Sequence, residues 1–425
     1  MRALYTGLLY LALPLVFLYF LWRGLREPGY LKGWGERLGL GRRPPPGGIW
    51  LHAASVGEVA AAVPLLRALR ERDPDLPLVV TTFTPTGRDR ARSALGGTAH
   101  VVYLPLDLPG AVRRFLQHAQ PRLAILLEAE LWPNLLHGCR AAGVPVLLAN
   151  ARLSEAAAAR YRRGVQGRLI GDALRGIDCI AAVSDEDAER FTALGVPAER
   201  VAVTGNLKFD LELPAGVEER GAALRRDWGA AERPVWIAAS THAGEEEIVL
   251  SAFAELVGRH PDLLLVLVPR HPQRFDGVAE LCRRSGFACA RRSRDEPVTA
   301  GTQILLGDTL GELVLFYATA DLALVGGSLV PGIGGHNLLE PAALRLPVVT
   351  GEHLGAWETV ADWLREAGAL CRVADAAALA SAVDECLEDH HGRKMAGLGA
   401  ARVVEDHGGA LARTLRLVPG LLTAA

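Results

Sequence analysis

Residues 49–58 read IWLHAASVGE, and residues 235–245 read VWIAASTHAGE, a close copy of the first stretch. Each copy is an apolar, β-prone run that ends abruptly in small residues, followed by Gly and Glu and then by an apolar pattern of helical period. This order predicts a strand, a tight turn and a helix, written twice. Because ligands of open α/β sheets bind beyond the carboxyl ends of the strands, we expect both turns to face one cleft.

Strand candidates alternate with helical patterns on either side of the second copy, which predicts βαβ units and parallel sheets. The continuous apolar run 123–127 is typical of a strand that is buried on both faces. The predicted strands are 49–53, 77–82, 99–103, 122–127, 144–149, 177–183 and 200–204, then 235 onward, 263–268, 303–306, 321–325 and 346–349. Residues 375–389 and 394–418 are predicted to be helices. The predicted segments are 1–22, 23–47, a domain over 48–212, a connection over 213–234, and a domain over 235–425.

Composition excludes several classes of protein. The formal net charge is −2 over 425 residues, which argues against a general nucleic-acid binder. The six cysteines show no CxxC or CxxH spacing, so we expect neither a disulfide framework nor a zinc site. Lysine is rare, and only Lys32, Lys208 and Lys394 are present.

The amino terminus is apolar and uncharged from Ala3 to Trp22, long enough to cross a bilayer as a helix. No small-residue cleavage site follows, which disfavours a secretory signal peptide. Basic residues follow the span, with only Arg2 before it, so the positive-inside rule predicts a cytoplasmic body. We therefore expect a membrane anchor over 1–22, spanning the membrane or lying on it, and a basic linker over 23–47 that either contacts lipid or is a plain connection.

The first domain offers three candidate sites. Ser55, Gly57 and Glu58 lie at the first strand-to-helix turn, where a carboxylate can act as a general base or simply cap the helix. Glu128 and Glu130 directly follow the run 123–127 and would point to one side if the strand continued; one of them could equally be capping or salt-bridged. Lys208, in the stretch 205–210, suits an anionic substrate, although a surface lysine is an equal alternative.

The second domain offers candidates for binding an anion. Ser240 and Thr241 lie at the second strand-to-helix turn, where hydroxyl groups and free N–H groups suit a phosphate, or form an ordinary helix cap. Pro269, Arg270 and His271 follow a buried strand, where Arg and His can hold a phosphate or carboxylate, or be structural.

A glycine-rich loop in the second domain is the most specific of these signals. Residues 326–341 read GGSLVPGIGGHNLLEP and follow the predicted strand 321–325. Glycines such as Gly334 and Gly335 let backbone approach a ligand, and a helix is predicted to begin near Asn337. Glu340, one turn into that helix, can accept hydrogen bonds from two adjacent ribose hydroxyls. A glycine loop alone would be weak evidence, but its combination with Asn-x-x-Glu is stronger.

Together these motifs resemble the Kdo transferases, which move 3-deoxy-D-manno-octulosonic acid (Kdo) from CMP-Kdo onto the lipid A precursor. The resemblance covers nearly the whole chain. It rests on the apolar amino terminus and on residues 35–37, 52–58, 81–87, 128–134, 149–154, 205–209, 269–271 and 326–341. It implies an α/β fold of the GT-B type: two facing Rossmann-like domains, an acceptor domain over 48–212 and a CMP-sugar domain over 235–425, behind a membrane-anchor helix.

The resemblance also implies roles for the matching positions. Glu58 would be the general base and Glu128 a second essential carboxylate on the acceptor side. Ser240, Thr241, Arg270 and His271 would lie near phosphate and cytidine, the loop 332–337 beneath the phosphate, and Glu340 at the ribose. Lys208 and Arg270 would be partners of the Kdo carboxylate or of the leaving phosphate.

The implied reaction inverts the anomeric centre and needs neither a metal nor a cofactor. The implied partners are CMP-Kdo, lipid IVA and the inner membrane of a Gram-negative bacterium, at its cytoplasmic face. The stretch 351–357 reads GEHLGAW and departs from the family pattern, which puts sugar contacts from this loop in doubt. Two alternatives stay open: a GT-B enzyme or epimerase that uses another nucleotide sugar, and a membrane-tethered scaffold.

Overall fold

The computed structural model describes residues 1–162 and 164–423 and contains two compact α/β units. Unit 1 comprises Met1–Asp210 together with the C-terminal segment from His407, and unit 2 comprises Leu211–Asp406. Each unit contains a seven-stranded sheet whose neighbouring strands all run parallel. The predicted pair of parallel-sheet α/β domains is therefore confirmed.

The sheet of unit 1 has the strand order β3-β2-β1-β4-β5-β6-β7. Its strands are β1 (Ile49–His52), β2 (Leu78–Thr82), β3 (His100–Tyr103), β4 (Leu123–Leu127), β5 (Val146–Ala151), β6 (Cys179–Ala182) and β7 (Val201–Val203). Its helices before unit 2 are α1 (Arg2–Arg26), α2 (Trp34–Arg37), α3 (Val56–Arg72), α4 (Pro85–Leu95), α5 (Pro109–Ala119), α6 (Pro133–Ala141), α7 (Glu155–Tyr161), α8 (Gly164–Leu174) and α9 (Asp185–Ala193).

The sheet of unit 2 has the strand order β10-β11-β9-β8-β12-β13-β14. Its strands are β8 (Val235–Thr241), β9 (Leu264–Pro269), β10 (Cys289–Arg291), β11 (Ile304–Leu306), β12 (Leu322–Val325), β13 (Val348–Thr350) and β14 (Leu370–Arg372). Its helices are α10 (Val217–Asp227), α11 (Glu245–Val257), α12 (Phe275–Arg284), α13 (Leu313–Tyr317), α14 (Leu339–Ala343), α15 (Glu358–Glu366), α16 (Ala376–Glu388) and α17 (His390–His407). A last helix, α18 (Ala410–Thr423), returns to unit 1.

The apolar strands explain why both faces of each sheet are covered. Along β4 every residue is buried, and successive side chains enter opposite cores. Ala124 and Leu126 pack into the core that contains Trp50, whereas Leu123, Ile125 and Leu127 pack into the core on the other face. A strand buried in this way needs helices on both faces, which the βαβ connections supply.

The C-terminal boundary differs from the predicted domain over 235–425. The predicted helix 394–418 is broken at Gly408-Gly409, where Gly409 has a φ of 80°. The Asp210 carboxylate accepts hydrogen bonds from the N–H groups of Gly409 and Leu411 and so starts α18. Because Leu415 and Val418 of α18 are buried in a core of unit 1, the last helix belongs to that unit.

The structure also describes two other predicted segments. The connection over 213–234 contains α10, whose residues Val217 and Gly221 are buried, so this stretch is part of unit 2. The basic linker over 23–47 packs on unit 1: Arg37 is fully buried, and Glu36 pairs with Arg88 at 2.7 Å. Arg37 lies against the rings of Phe20, Phe83 and Tyr103, which is why a basic residue is stable there.

The predicted anchor corresponds to α1, a helix of 25 residues. Among the described residues it is the one helix long and apolar enough to cross a membrane, judged by length and composition alone. A signal sequence can pass the same test, so this is weak evidence for a membrane span.

Candidate active site

In unit 1 the chain leaves the two central strands, β1 and β4, toward opposite edges of the sheet. Such a point, beyond the carboxyl ends of the strands, is where open α/β sheets bind ligands. Residues 53–58 follow β1 and residues 128–132 follow β4, so both predicted acidic motifs lie at this point. The topology thus brings together the carboxylates that the sequence separates by about 70 residues.

Glu58 lies in the first turn of α3, which Ser55 caps. One carboxylate oxygen of Glu58 accepts from the Ala54 N–H at 2.8 Å, and the other accepts from the Ser55 hydroxyl at 2.8 Å. These contacts fix the side chain while leaving lone pairs on each oxygen. Glu58 therefore stabilises the start of α3, as the capping interpretation predicts. This role does not exclude catalysis, because 9% of the surface of Glu58 stays accessible.

Gly57 leaves open space above this turn. A Cβ atom built at Gly57 would meet no neighbouring atom closer than the Ser55 Oγ atom, at 3.9 Å. The protein's own packing does not demand glycine at this position. This supports the prediction that Gly57 lets a ligand approach the backbone beside Glu58.

Glu128 and Lys208 form an ion pair, with 3.2 Å between Oε1 and Nζ, and both side chains are about one-third exposed. The sequence left open whether the strand continues through Glu128, and in the structure it does not. Glu128 has a φ of 58°, a left-handed conformation that a residue with a side chain rarely adopts. Lys208 is held in place by its neighbour, since the Asn150 side chain accepts from the Leu207 N–H at 2.9 Å. Strained backbone of this kind clusters at functional sites.

Glu130 has a different partner, the fully buried His52 at the end of β1. His52 Nε2 lies 3.4 Å from Glu130 Oε2, and the Trp132 indole N–H donates to the same oxygen. Burial would raise the pKa of Glu130, but the contacts with His52 and Trp132 hold it below its ordinary value. Glu130 is thus kept ionised.

The three carboxylates differ in their electrostatics. Glu128 and Glu130 each have a basic partner, whereas no ion pair to Glu58 occurs among residues 1–162 and 164–423. Burial raises the pKa of Glu58, and the negative charges of Glu128 and Glu130 add to that rise, against the hydrogen bonds from Ala54 and Ser55. Environments that push the pKa values of neighbouring acids apart mark the one suited to take up a proton, and here it is Glu58.

Unit 2 repeats the arrangement at the carboxyl ends of its own central strands, β8 and β12. Ser240 has a φ of 57°, and the register between β8 and β9 shifts at this point. As in unit 1, strained backbone marks the end of a central strand. The duplicated strand-turn-helix is confirmed, because α11 begins at Glu245 directly after this turn.

Glu245 occupies the position in the second copy that Glu58 has in the first, but it has another task. It is fully buried and accepts four backbone hydrogen bonds of 2.8–3.0 Å. The donors are the N–H groups of His242, Gly327, Ser328 and Leu329. Glu245 thereby ties the start of the glycine-rich loop to the strand-to-helix turn of β8.

Glu246, the next residue, forms a second buried network. Its carboxylate pairs with both terminal nitrogens of Arg274, at 2.6 and 2.9 Å, and accepts from the Thr241 hydroxyl at 2.9 Å. Thr241 is fully buried, so its hydroxyl serves this network. This differs from the predicted role of Thr241 at the phosphate. Ser240, in contrast, keeps 8% of its surface exposed.

Three histidines gather around the glycine-rich loop. His242 and His336 stack with their ring centroids 5.1 Å apart and their Nε2 atoms 2.8 Å apart, and His271 lies edge-on to His242 at 5.1 Å. Burial lowers the pKa of both His242 and His336; for His242 the charge of Glu245 opposes this, and for His336 burial and the neighbouring positive groups together bring the pKa to about 4. Both rings are therefore neutral at pH 7, so one can donate to the other.

The segment 269–271 lies beside this cluster. Pro269 ends β9, and the Arg270 N–H donates to the Thr241 carbonyl at 3.0 Å, which brings the predicted residues of the two strands together. The Arg270 side chain is exposed and available to an anion.

The glycine-rich loop closes on itself through the Gly335 N–H, which donates to the Gly327 carbonyl at 2.7 Å. Gly327 has a φ of 75°, and a Cβ there would lie 2.9 Å from the His336 ring, so no larger residue fits. Asn337 accepts from the Leu339 N–H at 3.0 Å and starts α14, which is five residues long. Gly334 has a φ of 95°, and Glu340 lies in α14 near the buried Tyr317, whose pKa its charge helps to raise.

The stretch 351–357 packs against the glycine-rich loop. The Gly351 N–H donates to the Ser328 hydroxyl at 2.8 Å, and the His353 N–H donates to the Ser328 carbonyl at 2.9 Å. Gly351 is also sterically required, since a Cβ there would lie 2.1 Å from the Ser328 carbonyl oxygen. The residues of this stretch that depart from the family pattern are therefore held in place by contacts with Ser328.

Several residues that organise the two sites had no role predicted from the sequence, although most of them lie within the motifs. They are His52 and Trp132 in unit 1, and His242, Glu245, Glu246, Arg274, Ser328 and His336 in unit 2. One sequence signal of these roles was present, because three consecutive acidic residues, 245–247, begin an apolar helix. In the structure the first two of them are buried. The partners of these residues are distant in sequence, so the pattern alone could not assign them.

Comparison with known proteins gives two domain-family matches. The family described as "3-Deoxy-D-manno-octulosonic-acid transferase (kdotransferase)" matches residues 32–211. The family described as "Glycosyl transferases group 1" matches residues 245–402.

Two curated relatives are similar over nearly their full length. The 3-deoxy-D-manno-octulosonic acid transferase of Haemophilus influenzae is 42% identical over 98% of this chain and 98% of its own. The enzyme of the same name from Bordetella pertussis is 40% identical over 97% of this chain and 98% of its own.

Solved structures share the fold at low identity. A glycosyltransferase from Rickettsia africae superposes with a TM-score of 0.57 at 14% identity, covering 89% of this chain and 100% of its own. The UDP-GlcNAc 2-epimerase from Neisseria meningitidis gives a TM-score of 0.54 at 13% identity, covering 87% of this chain and 99% of its own. These likenesses establish the GT-B type of fold.

Proposed function

Because this chain belongs to the Kdo transferase family, we propose that it transfers Kdo from CMP-Kdo to the lipid A precursor lipid IVA, with Glu58 as the general base. The chain is a Kdo glycosyltransferase, since full-length relatives of high identity are Kdo transferases. The donor, the acceptor, the stereochemical course and the residue roles are our proposal. The observation that carries it is Glu58 itself, a fixed carboxylate with a raised pKa and no cationic partner in the described part of the chain.

The proposed reaction is a direct displacement. An acceptor hydroxyl donates its proton to the Glu58 carboxylate while its oxygen forms a bond to C2 of Kdo. The bond between C2 and the phosphate oxygen breaks at the same time, CMP leaves with that electron pair, and the anomeric centre inverts. A raised pKa makes Glu58 a stronger base as the proton moves. Glu128, held by Lys208, is the second carboxylate on the acceptor side.

Unit 2 supplies the groups for the nucleotide. In our proposal the loop 332–337, the Ser240 hydroxyl and the exposed Arg270 side chain hold the phosphate, with His271 beside them, and Glu340 accepts from the ribose hydroxyls. These groups also stabilise the negative charge that builds on the departing CMP. Lys208 and Arg270 are the proposed partners of the Kdo carboxylate.

Nucleotide binding tests the donor part of this proposal. We expect isothermal titration calorimetry to show tighter binding of CMP than of UDP or GDP. Replacing Arg270 with alanine should weaken CMP binding about 10- to 100-fold, because it removes a charge-assisted hydrogen bond to phosphate. The exposed Arg294 of the same unit provides the control variant Arg294→Ala, which should bind as the wild type does. A preference for UDP would contradict the proposed donor.

The pH dependence of transfer tests the role of the Glu128–Lys208 pair. Glu58 must be deprotonated to act as base, so kcat/KM falls as the pH drops through its pKa. Glu128→Gln removes a negative charge that raises this pKa and leaves Lys208 unpaired, so the acid limb of residual activity should move to lower pH. Lys208→Gln leaves Glu128 uncompensated and should move the limb to higher pH.

Opposite shifts in these two variants are what the proposal requires. Lys394→Gln, at an exposed lysine of unit 2, serves as the control and should leave the acid limb unmoved. Acid limbs that shift in the same direction in Glu128→Gln and Lys208→Gln would mean that another group titrates.

A further inference from the structure

The N-terminal end of α1 is bound to the body of unit 1. The Tyr5 hydroxyl donates to Asp107 Oδ2 at 2.9 Å, and the Thr6 hydroxyl donates to Asn134 Oδ1 at 3.0 Å. Asp107 is buried and also accepts from the N–H groups of Asn134 and Leu135, where it starts α6. The first turns of α1 therefore contact a fixed part of the globular domain.

The C-terminal end of α1 is bound to the same domain. Phe20 is only 2% exposed, and its ring packs against those of Trp34 and Phe83, at centroid distances of 5.3 and 6.1 Å. The Arg37 guanidinium lies 4.7 Å from the centre of the Phe20 ring. Phe83 follows β2, so this contact also reaches the body of unit 1.

Between these ends, one face of α1 lies against the protein. The less exposed positions all lie on one helical face, in the i, i+3, i+4 pattern: 2, 5, 6, 9, 12, 13, 16, 20, 23 and 24. The helix is thus bound to the domain near both ends, and the positions of this face between them are half-buried.

The opposite face is exposed and wholly apolar. Its residues are between 52% and 78% exposed and also follow the helical spacing: Leu4, Leu8, Leu11, Leu15, Leu18, Trp22 and Leu25. An apolar pocket of about 490 Å³ adjoins this face and is lined by Pro14, Phe17, Leu18, Leu21, Leu31 and Trp34. A continuous exposed apolar surface along a whole helix marks an interaction site.

A membrane-spanning orientation conflicts with these contacts. At about 1.5 Å per residue the helix is about 37 Å long, enough to cross a hydrocarbon layer of about 30 Å. A spanning helix has its ends on opposite sides of the bilayer, so Tyr5 and Phe20 could not both touch one cytoplasmic domain. Spanning would also strip the buried Asp107 of the Tyr5 hydroxyl, and leaving a buried charge with fewer hydrogen bonds is costly.

We propose that α1 lies in the plane of the cytoplasmic leaflet, with its exposed face among the lipid acyl chains and its amino terminus on the same side of the membrane as the catalytic units. The pocket beside α1 is suited to one acyl chain. Arg26 and Lys32 are exposed near the end of the helix and can contact anionic headgroups, as can Arg2 at its start. Because both ends of α1 contact the same domain, the helix can reach the lipid only by lying along one leaflet.

Thiol accessibility in spheroplasts tests this topology with the full chain. In an Ala3→Cys variant, a membrane-impermeant maleimide should modify position 3 only after lysis, as quantified by mass spectrometry of its peptide. The exposed native Cys371 of unit 2 is the internal marker for the cytoplasmic side. A thiol at position 3 that stays protected together with Cys371 supports the proposal. Modification at position 3 while Cys371 is protected would overturn it in favour of a span.

Flotation with vesicles of phosphatidylethanolamine and phosphatidylglycerol tests the lipid face itself. Leu15→Glu puts a charge in the centre of that face, and we expect its partition coefficient to fall at least about 10-fold. Leu310→Glu, at a residue of unit 2 that is 77% exposed, is the matched control and should float as the wild type does. Equal flotation of the two variants would refute the lipid face. Neither measurement uses CMP-Kdo or lipid IVA. A result that contradicts the proposed orientation of α1 would therefore not contradict the proposed transfer reaction.

Discussion

Replacement of Glu58 by glutamine is expected to lower kcat for Kdo transfer by about 10²- to 10⁴-fold, the usual contribution of a general base. Glutamine has nearly the same shape, and its amide oxygen can still accept from the Ala54 N–H or the Ser55 hydroxyl, so the turn should survive. It cannot take up a proton from the acceptor. Steady-state kinetics with CMP-Kdo and lipid IVA measure the loss.

Two further measurements isolate the chemical step. CMP affinity should be unchanged in Glu58→Gln, because the proposed nucleotide groups all lie in unit 2. Glu71→Gln, at an exposed position in the last turn of the same helix, is the matched control and should retain full kcat. If Glu58→Gln keeps wild-type kcat, Glu58 is not the base.

The second large effect is expected from Glu245→Ala, and it is an effect on stability. This substitution leaves four N–H groups without their acceptor, and each buried, unpaired N–H costs about 1–3 kcal/mol. We expect unit 2 to lose about 4 kcal/mol or more of its free energy of unfolding, a large share of the stability of a typical domain. Urea unfolding of the full chain measures the change.

A milder variant separates loop disorder from global unfolding. Glu245→Gln keeps one acceptor oxygen but turns an amide NH₂ group toward backbone donors. It should stay folded while hydrogen exchange quickens at the amides of 327–329 and CMP binding weakens. The control is Glu247→Ala, at the exposed third acid of the same run, which should change stability by less than about 0.5 kcal/mol. Equal stability of Glu245→Ala and Glu247→Ala would contradict the role given to Glu245.

Much of the fold could be predicted because strands of a parallel sheet are buried on both faces. Such strands are continuous apolar runs, and the predicted strand 122–127 agrees with β4 to one residue. The strands that were missed, β10 and β14, are three residues long, lie at the sheet edges, and each ends in an arginine. A short edge strand lacks the apolar run, so its pairing depends on the neighbouring strand.

Residues of the site could be predicted only where a short sequence motif indicates their function. Glu58 and Glu245 occupy matching positions in a duplicated motif, yet one is partly accessible and the other fully buried. The difference comes from backbone N–H groups more than 80 residues away, which the glycine-rich loop brings to Glu245. Likewise, the conformation of Glu128 and its pairing with Lys208 follow from tertiary structure, not from the strand pattern around residue 123.

In the proposed reaction this chain joins Kdo from a cytidylate donor to a lipid A precursor. Mass spectrometry of lipid IVA after incubation with CMP-Kdo and the full-length protein tests it most directly. We expect a lipid product heavier by one or more Kdo units, with CMP released in equal amount and the gain in mass largely lost in Glu58→Gln. Lipid IVA that keeps its original mass with the wild-type chain, while the same protein consumes a UDP-linked sugar, would contradict it.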